Sequence, residues 1–443
     1  MIRYVGLDVH KRVMQVCIMD GLGKVLAEDR FEVSRERLVR FASEELSPED
    51  HVALEATTNT WAIVDIVRPR VAKLCVSNPI QTKAIAQAKV KTDEVDARIL
   101  AHLLRLNFLP LVWEPDAATR ELRSWTAYRA GLVRQSTFLK NRIHSVLHQR
   151  LIQAPVDALF SKAGRQFLKE LVLDEQGRWQ IDGHLRLLEA VEAEIAKIDQ
   201  LLAEKGYADP RVKLLMTLPG VNVTVAECLL AAFGDMSRFR DGDHAGSYLG
   251  LVPSIKQSAD HCYHGPITKA GRGHARWMLI QAAQHVRLHP GPLGVFFRRL
   301  KKKKNYNVAV VAAARKLVVY AWHMLTKNEP YRYAQPLPTQ TKLQHLRVKA
   351  TGKRRKSGPA KGVLNRSKIG PGIKTRTIKA LAEVLSEEGL PALTAMPPGE
   401  QKTIQRAGCQ TFVDTLSETQ IVAKGPPPGV QAQAAIAKEV AAD

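Results

Sequence analysis

Four acidic residues near the N-terminus occupy positions where carboxylates could bind a metal ion. Asp8 lies in the apolar stretch VGLDVH and Glu55 in VALEA, where a charge is costly unless it is paired, solvated or metal-bound. Asp93 and Asp96 are three residues apart at a predicted helix start, KTDEVDA, and therefore share one face. Such oxygen ligands suit Mg²⁺ or Mn²⁺, which can activate an attacking oxygen and stabilise a leaving one at a phosphodiester.

A purely structural explanation of these acids is also open. Asp93 and Asp96 would be favourable at any helix N-terminus, because the helix dipole is positive there. Asp8 and Glu55 can be residues at strand ends that reach solvent. The order of the four acids along alternating predicted strands and helices favours the metal site.

A second group with possible chemistry lies in the sequence GLVPSIKQSADHCYHGPITKAG. It places Ser254 and Ser258 on a turn-rich segment, ahead of a helix predicted to begin near Arg272 and to carry Arg276. A hydroxyl close to a metal site or to basic groups can attack phosphorus and hold DNA covalently. Most serines in loops are turn or cap residues, so spacing alone does not assign this role.

The sequence LPGVN, between two predicted helices, is similar to the hairpin of helix-hairpin-helix motifs, whose backbone N–H groups meet a phosphate. Asn222 stands where a second glycine is usual, and asparagine tolerates the left-handed backbone region. A helix that stops at Gly220 and restarts fits the sequence equally well.

Composition favours a soluble protein that binds nucleic acid. A chain of 443 residues is too long to fold around one ordinary hydrophobic core, so we expect several domains. Its 66 Lys and Arg against 43 Asp and Glu give a net charge of +23, which attracts polyanions. The five cysteines have no C-x-x-C spacing, which predicts a reducing cytoplasm rather than a disulfide framework. Since neither a signal peptide nor a run of about 18 apolar residues is present, we expect no membrane partner.

The predicted elements define an α/β plus α chain of four parts. Residues 1–110 begin with three antiparallel strands and continue as alternating strands and helices, which predicts an α/β domain. Residues 111–207 contain two long helices with apolar spacing typical of a helical hairpin or coiled-coil arm. Residues 208–335 are mostly helical, and residues 336–443 form a basic, Pro- and Ala-rich tail that we expect to be largely disordered.

In order and spacing, six motifs resemble those of the DEDD insertion-sequence transposases: GLDVHK, ALEAT, KTDEVDA, LLMTLPGV, GLVP and ITKAG. This is the family of bridge-RNA-guided recombinases, with relatives among Piv-type DNA invertases, and the resemblance extends from about Ile2 to Tyr333. It implies a bacterial cytoplasmic enzyme with a ribonuclease-H-like, RuvC-like N-terminal domain, a coiled-coil arm and a transposase domain. It also implies that the four acids form a metal-binding tetrad, composed of Asp8, Glu55, Asp93 and Asp96.

The resemblance further implies a serine nucleophile a few residues after the G-L-x-P turn, commonly within S-S-G. Counting from Gly250 places Ser258 at the second of those serines. Gln257 and Ala259 depart from the pattern, which leaves Ser254 as the alternative. The family's sites combine residues of different subunits, so the resemblance implies a homodimer or homotetramer, with a guide RNA encoded by the element selecting the DNA.

Basic side chains near the acids and on the arm would neutralise the nucleic-acid backbone; those near the acids are Lys83, Lys89 and Lys91. Two other functions are compatible with the same residues. A metal-dependent Holliday-junction resolvase or nuclease would use water as the nucleophile, with no role for serine. A protein that binds nucleic acid without catalysis would need neither the acids nor the serine.

Overall fold

The computed structural model describes residues 2–86, 92–155, 158–353 and 375–423. The chain divides into two compact units, Met1–Pro115 and Asp116–Asp443. The strands of the first unit are β1 Tyr4–Val9, β2 Val13–Met19, β3 Val25–Glu32, β4 His51–Glu55 and β5 Lys73–Ser77. Its α-helices are α1 Arg35–Arg40, α2 Thr60–Val67, α3 Pro79–Ile85 and α4 Asp93–Arg105.

The second unit is mainly helical. Its α-helices are α5 Ala117–His148, α6 Lys162–Glu170, α7 Glu175–Ala208, α8 Pro210–Leu215, α9 Val223–Phe233, α10 Gly242–Tyr248, α11 Gly273–Gln284, α12 Pro292–Lys303, α13 Tyr306–Lys327, α14 Pro336–Thr351, α15 Leu381–Glu387, α16 Pro398–Ala407 and α17 Gln410–Thr415. Two antiparallel pairs complete it, β6 Pro253–Ser258 with β7 His261–Ile267, and β8 Thr375–Ile378 with β9 Gln420–Ala423.

The first unit is built on one mixed five-stranded sheet in the order β3-β2-β1-β4-β5. β1, β2 and β3 are antiparallel neighbours, whereas β4 pairs parallel with both β1 and β5. The predicted antiparallel opening and the later alternation of strands and helices are confirmed. Because β1 and β4 are parallel and adjacent, their carboxyl ends meet at one edge of the sheet.

The two faces of this sheet bury different layers. Val5 and Leu7 of β1 point into a core that includes Phe41 and the α2 residues Ile63 and Val64. The alternate residues of β1 face α4, where the small residues of that helix form the contact. This alternation, with a period of two residues, is what the strand pattern of the sequence predicts.

Gly6 allows α4 to lie directly on the sheet. A Cβ atom added at Gly6 would lie 2.0 Å from the carbonyl oxygen of Ala97 and 2.8 Å from the amide nitrogen of Ala101. Both alanines are fully buried. The missing side chain therefore sets the height of α4 above β1, and with it the position of the first turn of α4, which carries Asp93.

We expect Gly6→Ala to lower the free energy of unfolding by about 3 kcal/mol, because overpacking a closed backbone contact forces the helix off the sheet. Urea unfolding of the full chain measures this loss. Gly21→Ala is the matched control, since nothing lies within 4 Å of a Cβ there. Equal stability of the two variants would show that α4 does not depend on this contact.

In the second unit, α5 and α7 pack along each other as an antiparallel pair. Leu139 and Ile143 of α5 share a cluster with Leu188 of α7, whereas the earlier Leu132 packs against the later Leu202. The two long helices predicted for residues 111–207 are present, and α7 begins at Glu175. The coiled-coil arm stays a prediction. Both helices also contact α9, so the predicted arm and the segment 208–335 lie in one compact unit.

α13 is central to the second unit. Its buried residues include Ala313, Leu317 and Val318, which join the largest core cluster together with Phe233 of α9. Among the described residues, α13 alone is long and apolar enough to cross a membrane. Its packing against α10, α11 and α12 is that of a core helix.

The described part of residues 336–443 is folded, which differs from the predicted disorder. Leu343 of α14, Leu381 of α15 and Ile404 of α16 are buried in the same core cluster as α9 and α13. The low local density of apolar residues predicted disorder, but these few side chains are covered by the preceding domain. Residues 354–374 and 424–443 lie outside the described residues.

The core of the second unit contains a buried carboxyl group. Glu227 of α9 is 1% exposed, and neither carboxyl oxygen has a hydrogen-bond partner among the described residues. Burial raises the pKa of Glu227 to about 8. The folded protein therefore holds this proton up to a higher pH than the unfolded chain, so stability falls as the pH rises from about 4.5 to about 8.

We expect Glu227→Gln to remove the fall in stability between about pH 4.5 and about pH 8. Above pH 8 its free energy of unfolding should exceed that of the wild type by about 2–4 kcal/mol. At pH 5 the two proteins should differ little. Denaturant unfolding across this pH range measures the effect, with Glu204→Gln on the exposed side of α7 as the control. If the free energy of unfolding of Glu227→Gln and of the wild type changes with pH in the same way, Glu227 is not protonated in the folded protein at neutral pH.

Candidate active site

Asp8 is positioned at the carboxyl edge of the sheet. It is the fifth residue of β1 and is 9% exposed. Leu7 is in register with Leu54, so Asp8 and Glu55 are neighbours at the ends of two parallel strands. The structure therefore places the two strand acids on one edge, as their sequence positions predict.

The helix acids approach the same edge through α4. The Thr92 hydroxyl caps this helix by accepting a hydrogen bond from the Val95 amide at 3.3 Å, which fixes Asp93 and Asp96 in the first turn. α4 packs against β1, β2 and β4. Because Ala97 lies over Gly6, the preceding turn lies over the end of β1.

His10 links a strand acid to a helix acid. Its Nε2 lies 3.0 Å from Oδ2 of Asp8 and 3.2 Å from Oδ1 of Asp93. The turn after β1 holds the histidine there, since its amide donates to the carbonyl of Val13 at 2.9 Å. Sequence analysis missed His10. Its position two residues after Asp8, just beyond a strand end, is the signal that could have identified it.

The chemistry of this group fits a divalent cation. One ligand atom from each of Asp8, His10 and Asp93 lies within 4.8 Å of the others. Burial raises the pKa of Asp8, which the neighbouring His10 opposes and the charges of Asp96 and Asp93 reinforce. Clustered carboxylates of this kind repel one another, and a cation relieves the repulsion.

The remaining two predicted ligands are close to this group but outside it. Asp96 is near enough for its charge to act on Asp8. Glu55 lies next to Asp8 by strand register. Neither contributes an atom to the 4.8 Å group, so the four-carboxylate tetrad stays a prediction. Lys83 is exposed on α3, whereas Lys89 and Lys91 lie outside the described residues.

The serine segment forms a β-hairpin and not the turn-rich loop that the sequence predicts. Ser254 and Ser258 both belong to β6, and a two-residue turn leads to β7. The Ser254 hydroxyl donates to the carbonyl of Pro266 at 3.1 Å. Ser258, directly opposite His261, is exposed and its hydroxyl has no hydrogen-bond partner in the described part of the chain. Of the two serines, only Ser258 has a free hydroxyl.

The GLVP and ITKAG motifs form the base of this hairpin. The Lys269 amide donates to the carbonyl of Gly250 at 3.2 Å. Gly250 has a φ of +66°, and a Cβ there would lie 2.4 Å from the Ala270 nitrogen. Arg276 of α11 donates through Nη1 to the carbonyls of Leu249 and Ala270, at 2.9 and 2.8 Å. The two motifs thus fix the direction in which the hairpin leaves the unit.

The LPGVN turn is a helix stop followed by a restart. Asn222 has an extended backbone, and its side chain caps α9 by accepting from the Val225 amide at 3.0 Å. The Lys342 ammonium of α14 donates to the carbonyls of Leu218 and Val221, at 2.7 and 3.0 Å. Burial lowers the pKa of Lys342 to about 7. Hydrogen bonds from α14, in the folded part of the C-terminal region, therefore stabilise this turn.

Comparison with known families identifies the class of enzyme. A DEDD transposase model of the IS110 type matches residues 5–151, and a model of the IS116/IS110/IS902 transposase family matches residues 212–294. Together they include the acidic edge of the sheet and the serine hairpin. The chain is a DNA transposase. More narrowly, it belongs to the IS110/IS116 family of DEDD transposases.

Individual relatives agree with this assignment. The chain is 24% identical over 347 residues to the transposase for insertion sequence element IS1111A of Coxiella burnetii, covering 75% of this chain and 92% of the relative. It is 25% identical over 394 residues to the insertion element IS110 43.6 kDa protein of Streptomyces coelicolor, covering 75% and 96%. It is also 25% identical over 288 residues to the pilin gene-inverting protein of Moraxella bovis, covering 63% and 81%.

Proposed function

We propose that this transposase cuts and rejoins the DNA strands of an insertion element with a metal-bound carboxylate tetrad and a serine nucleophile, Ser258. The observation that carries the proposal is the convergence of Asp8, His10 and Asp93 at the carboxyl edge of the sheet. The free hydroxyl of Ser258 on an exposed hairpin supports the second part.

A ribonuclease-H-like, RuvC-like fold of the first unit is part of this proposal. The strand order β3-β2-β1-β4-β5, with three antiparallel strands first, supports it. So does the position of the acids, which lie on the central strand, on its parallel neighbour and on the helix that covers both. This arrangement brings residues that are far apart in sequence to one edge.

The residues that would hold the metal are Asp8, Glu55, Asp93 and Asp96, with His10 as an added ligand or as a hydrogen-bond donor between two of them. Carboxylate oxygens suit Mg²⁺ or Mn²⁺. When bound, such ions polarise a phosphodiester and stabilise charge on its oxygens. Asp8 is buried and therefore presents its carboxylate in one fixed direction.

Ser258 would act by nucleophilic displacement at phosphorus. Its Oγ forms a bond to the phosphorus and loses its proton to water, while the bond to one deoxyribose oxygen breaks and that oxygen takes up a proton. A hydroxyl of a second strand then attacks the phosphoserine and releases the serine. The phosphoester bond energy is retained, so the strands rejoin without an external energy source.

The partners of this chemistry are DNA and, by the same proposal, a guide RNA encoded by the element. The net charge of +23 supports binding of both. We also propose a homodimer or homotetramer in the bacterial cytoplasm, in which the carboxylate site of one subunit acts with the serine of another. Recombination joins two DNA sites, which favours paired subunits.

Incubating the purified chain with DNA that carries the ends of its element, in the presence of Mg²⁺, tests the proposal. We expect recombined strands and a covalent protein–DNA adduct, with activity that depends on the noncoding RNA transcribed beside the gene. Cleaved DNA without any adduct would instead identify a metal-dependent resolvase or nuclease. DNA binding with neither product would identify a binding protein.

A further inference from the structure

A cavity between α5, α9 and α11 of the second unit has the chemistry of an anion site. Its volume is about 260 Å³, and the residues that line it are small except for three arginines and one histidine: Arg123, Arg134, Arg272 and His274. None of the described residues that line it is acidic. The cavity therefore has room for a small anion and carries positive charge that no lining acidic residue neutralises.

Two of the three arginines are available to a ligand. Arg123 is committed to the protein, since it donates to the carbonyls of Ala231 and Ala232 at the end of α9, at 2.7 and 3.3 Å. Arg134 and Arg272 are exposed and make no hydrogen bond or ion pair with the described residues. Their planar guanidinium groups suit a phosphate, which accepts two parallel hydrogen bonds.

The start of α11 adds backbone donors to the same cavity. Arg272 is the N-cap residue, and its side chain makes no capping hydrogen bond. The next three amides, of Gly273, His274 and Ala275, have no acceptor in the described part of the chain, and these residues line the cavity. The N-terminus of a twelve-residue helix, left without a cap, attracts an anion.

The electrostatics of the cavity show the same excess of positive charge. Burial and, to a smaller extent, the charge of Arg272 lower the pKa of Arg123 to about 10. The pKa of His274 is lowered by burial and by the charges of Arg129 and Arg134. Grouped cations raise the free energy of the unliganded protein, and a bound anion offsets that repulsion.

We propose that this cavity, the arginine pocket, binds a backbone phosphate of a nucleic-acid strand. A second cavity of about 520 Å³ is also lined by residues of α5 and α11, among them Arg129 and Trp277, and by Arg287. The Trp277 indole is 49% exposed and is stacked on His274, with ring centroids 6.3 Å apart. Its free face suits a nucleobase beside the phosphate.

The residues that line the arginine pocket include neither the four acids nor Ser258. The proposal rests on the membership of a DNA transposase family and does not depend on Ser258 or on the metal. Binding is therefore measured without divalent ions, so that a failure of the catalytic proposal leaves this result interpretable. Three labelled strands of one sequence serve as probes: single-stranded DNA, duplex DNA and RNA.

We expect Arg272→Ala and Arg134→Ala each to weaken binding of at least one probe by about tenfold in a fluorescence anisotropy titration. The slope of log affinity against log salt should fall by about one in the double variant, because one phosphate contact is lost. The probe with the largest loss identifies the strand. Arg186→Ala is the matched control, since Arg186 on α7 is also exposed and has no partner among the described residues.

The side chains of Arg134 and Arg272 make no hydrogen bond or ion pair with the described residues. The double variant should therefore unfold at the same denaturant concentration as the wild type. Weaker binding together with unchanged or higher stability supports the arginine pocket. A loss of affinity no greater than that of Arg186→Ala for all three probes would overturn it, as would a loss that accompanies destabilisation of the fold.

Discussion

Asp8→Asn should reduce strand exchange by at least about a thousandfold while the chain stays folded, because a neutral group of the same shape replaces a carboxylate of the proposed metal site. The same loss is expected for Asp93→Asn. Burial raises the pKa of Asp8, so removing its charge should leave the free energy of unfolding unchanged or higher. The measurements are recombination of element ends and calorimetric titration with Mn²⁺ or Mg²⁺.

Glu94→Gln is the control for these variants. Glu94 lies beside Asp93 in the first turn of α4, but it is exposed and contributes nothing to the 4.8 Å group. It should retain activity and metal binding. If Asp8→Asn and Asp93→Asn recombine DNA as well as Glu94→Gln does, the acidic edge is only a structural feature, and the metal account is wrong.

We expect Ser258→Ala to abolish both recombination and the covalent protein–DNA adduct, because the proposed nucleophilic oxygen is absent. The variant should be as stable as the wild type, since Ser258 lies at the exposed end of the hairpin and its hydroxyl has no partner in the described structure. Denaturing electrophoresis with labelled DNA detects the adduct, and sequencing of the products detects recombination.

Ser254→Ala separates the two serines. The Ser254 hydroxyl is already engaged by the carbonyl of Pro266, so this variant should keep the adduct and lose little activity. If Ser254→Ala loses the adduct and Ser258→Ala keeps it, the alternative serine is the nucleophile. Continued DNA cleavage by Ser258→Ala would support hydrolysis by water.

The first unit could be predicted from sequence because its signals are local. Alternating apolar residues define β1, β2 and β4, and the Thr92 cap with two acids marks the start of α4. Their convergence follows from parallel pairing of β1 with β4. For His10 the sequence offers only its position two residues after Asp8, because its contact with Asp93 depends on a turn and on a helix that begins 83 residues later.

The second unit was harder to predict for physical reasons that differ by segment. β6 and β7 are short and mostly exposed, so no alternation between buried and solvent-facing residues marks them. The C-terminal helices contain few apolar residues. Leu385 and Ile404 are buried only because the larger core of α9, α12 and α13 covers them. Tertiary packing determines the structure of both the β6–β7 hairpin and the C-terminal helices, and local composition does not reveal it.

The central claim is that the carboxylate edge and Ser258 act together on one DNA strand. Peptide mapping by mass spectrometry of the adduct trapped from the wild-type reaction tests it most directly. We predict a DNA phosphate on Ser258 that forms with Mg²⁺ or Mn²⁺ and is absent from Asp8→Asn. Recombined DNA formed without any modified serine, or an adduct on another residue, would contradict it.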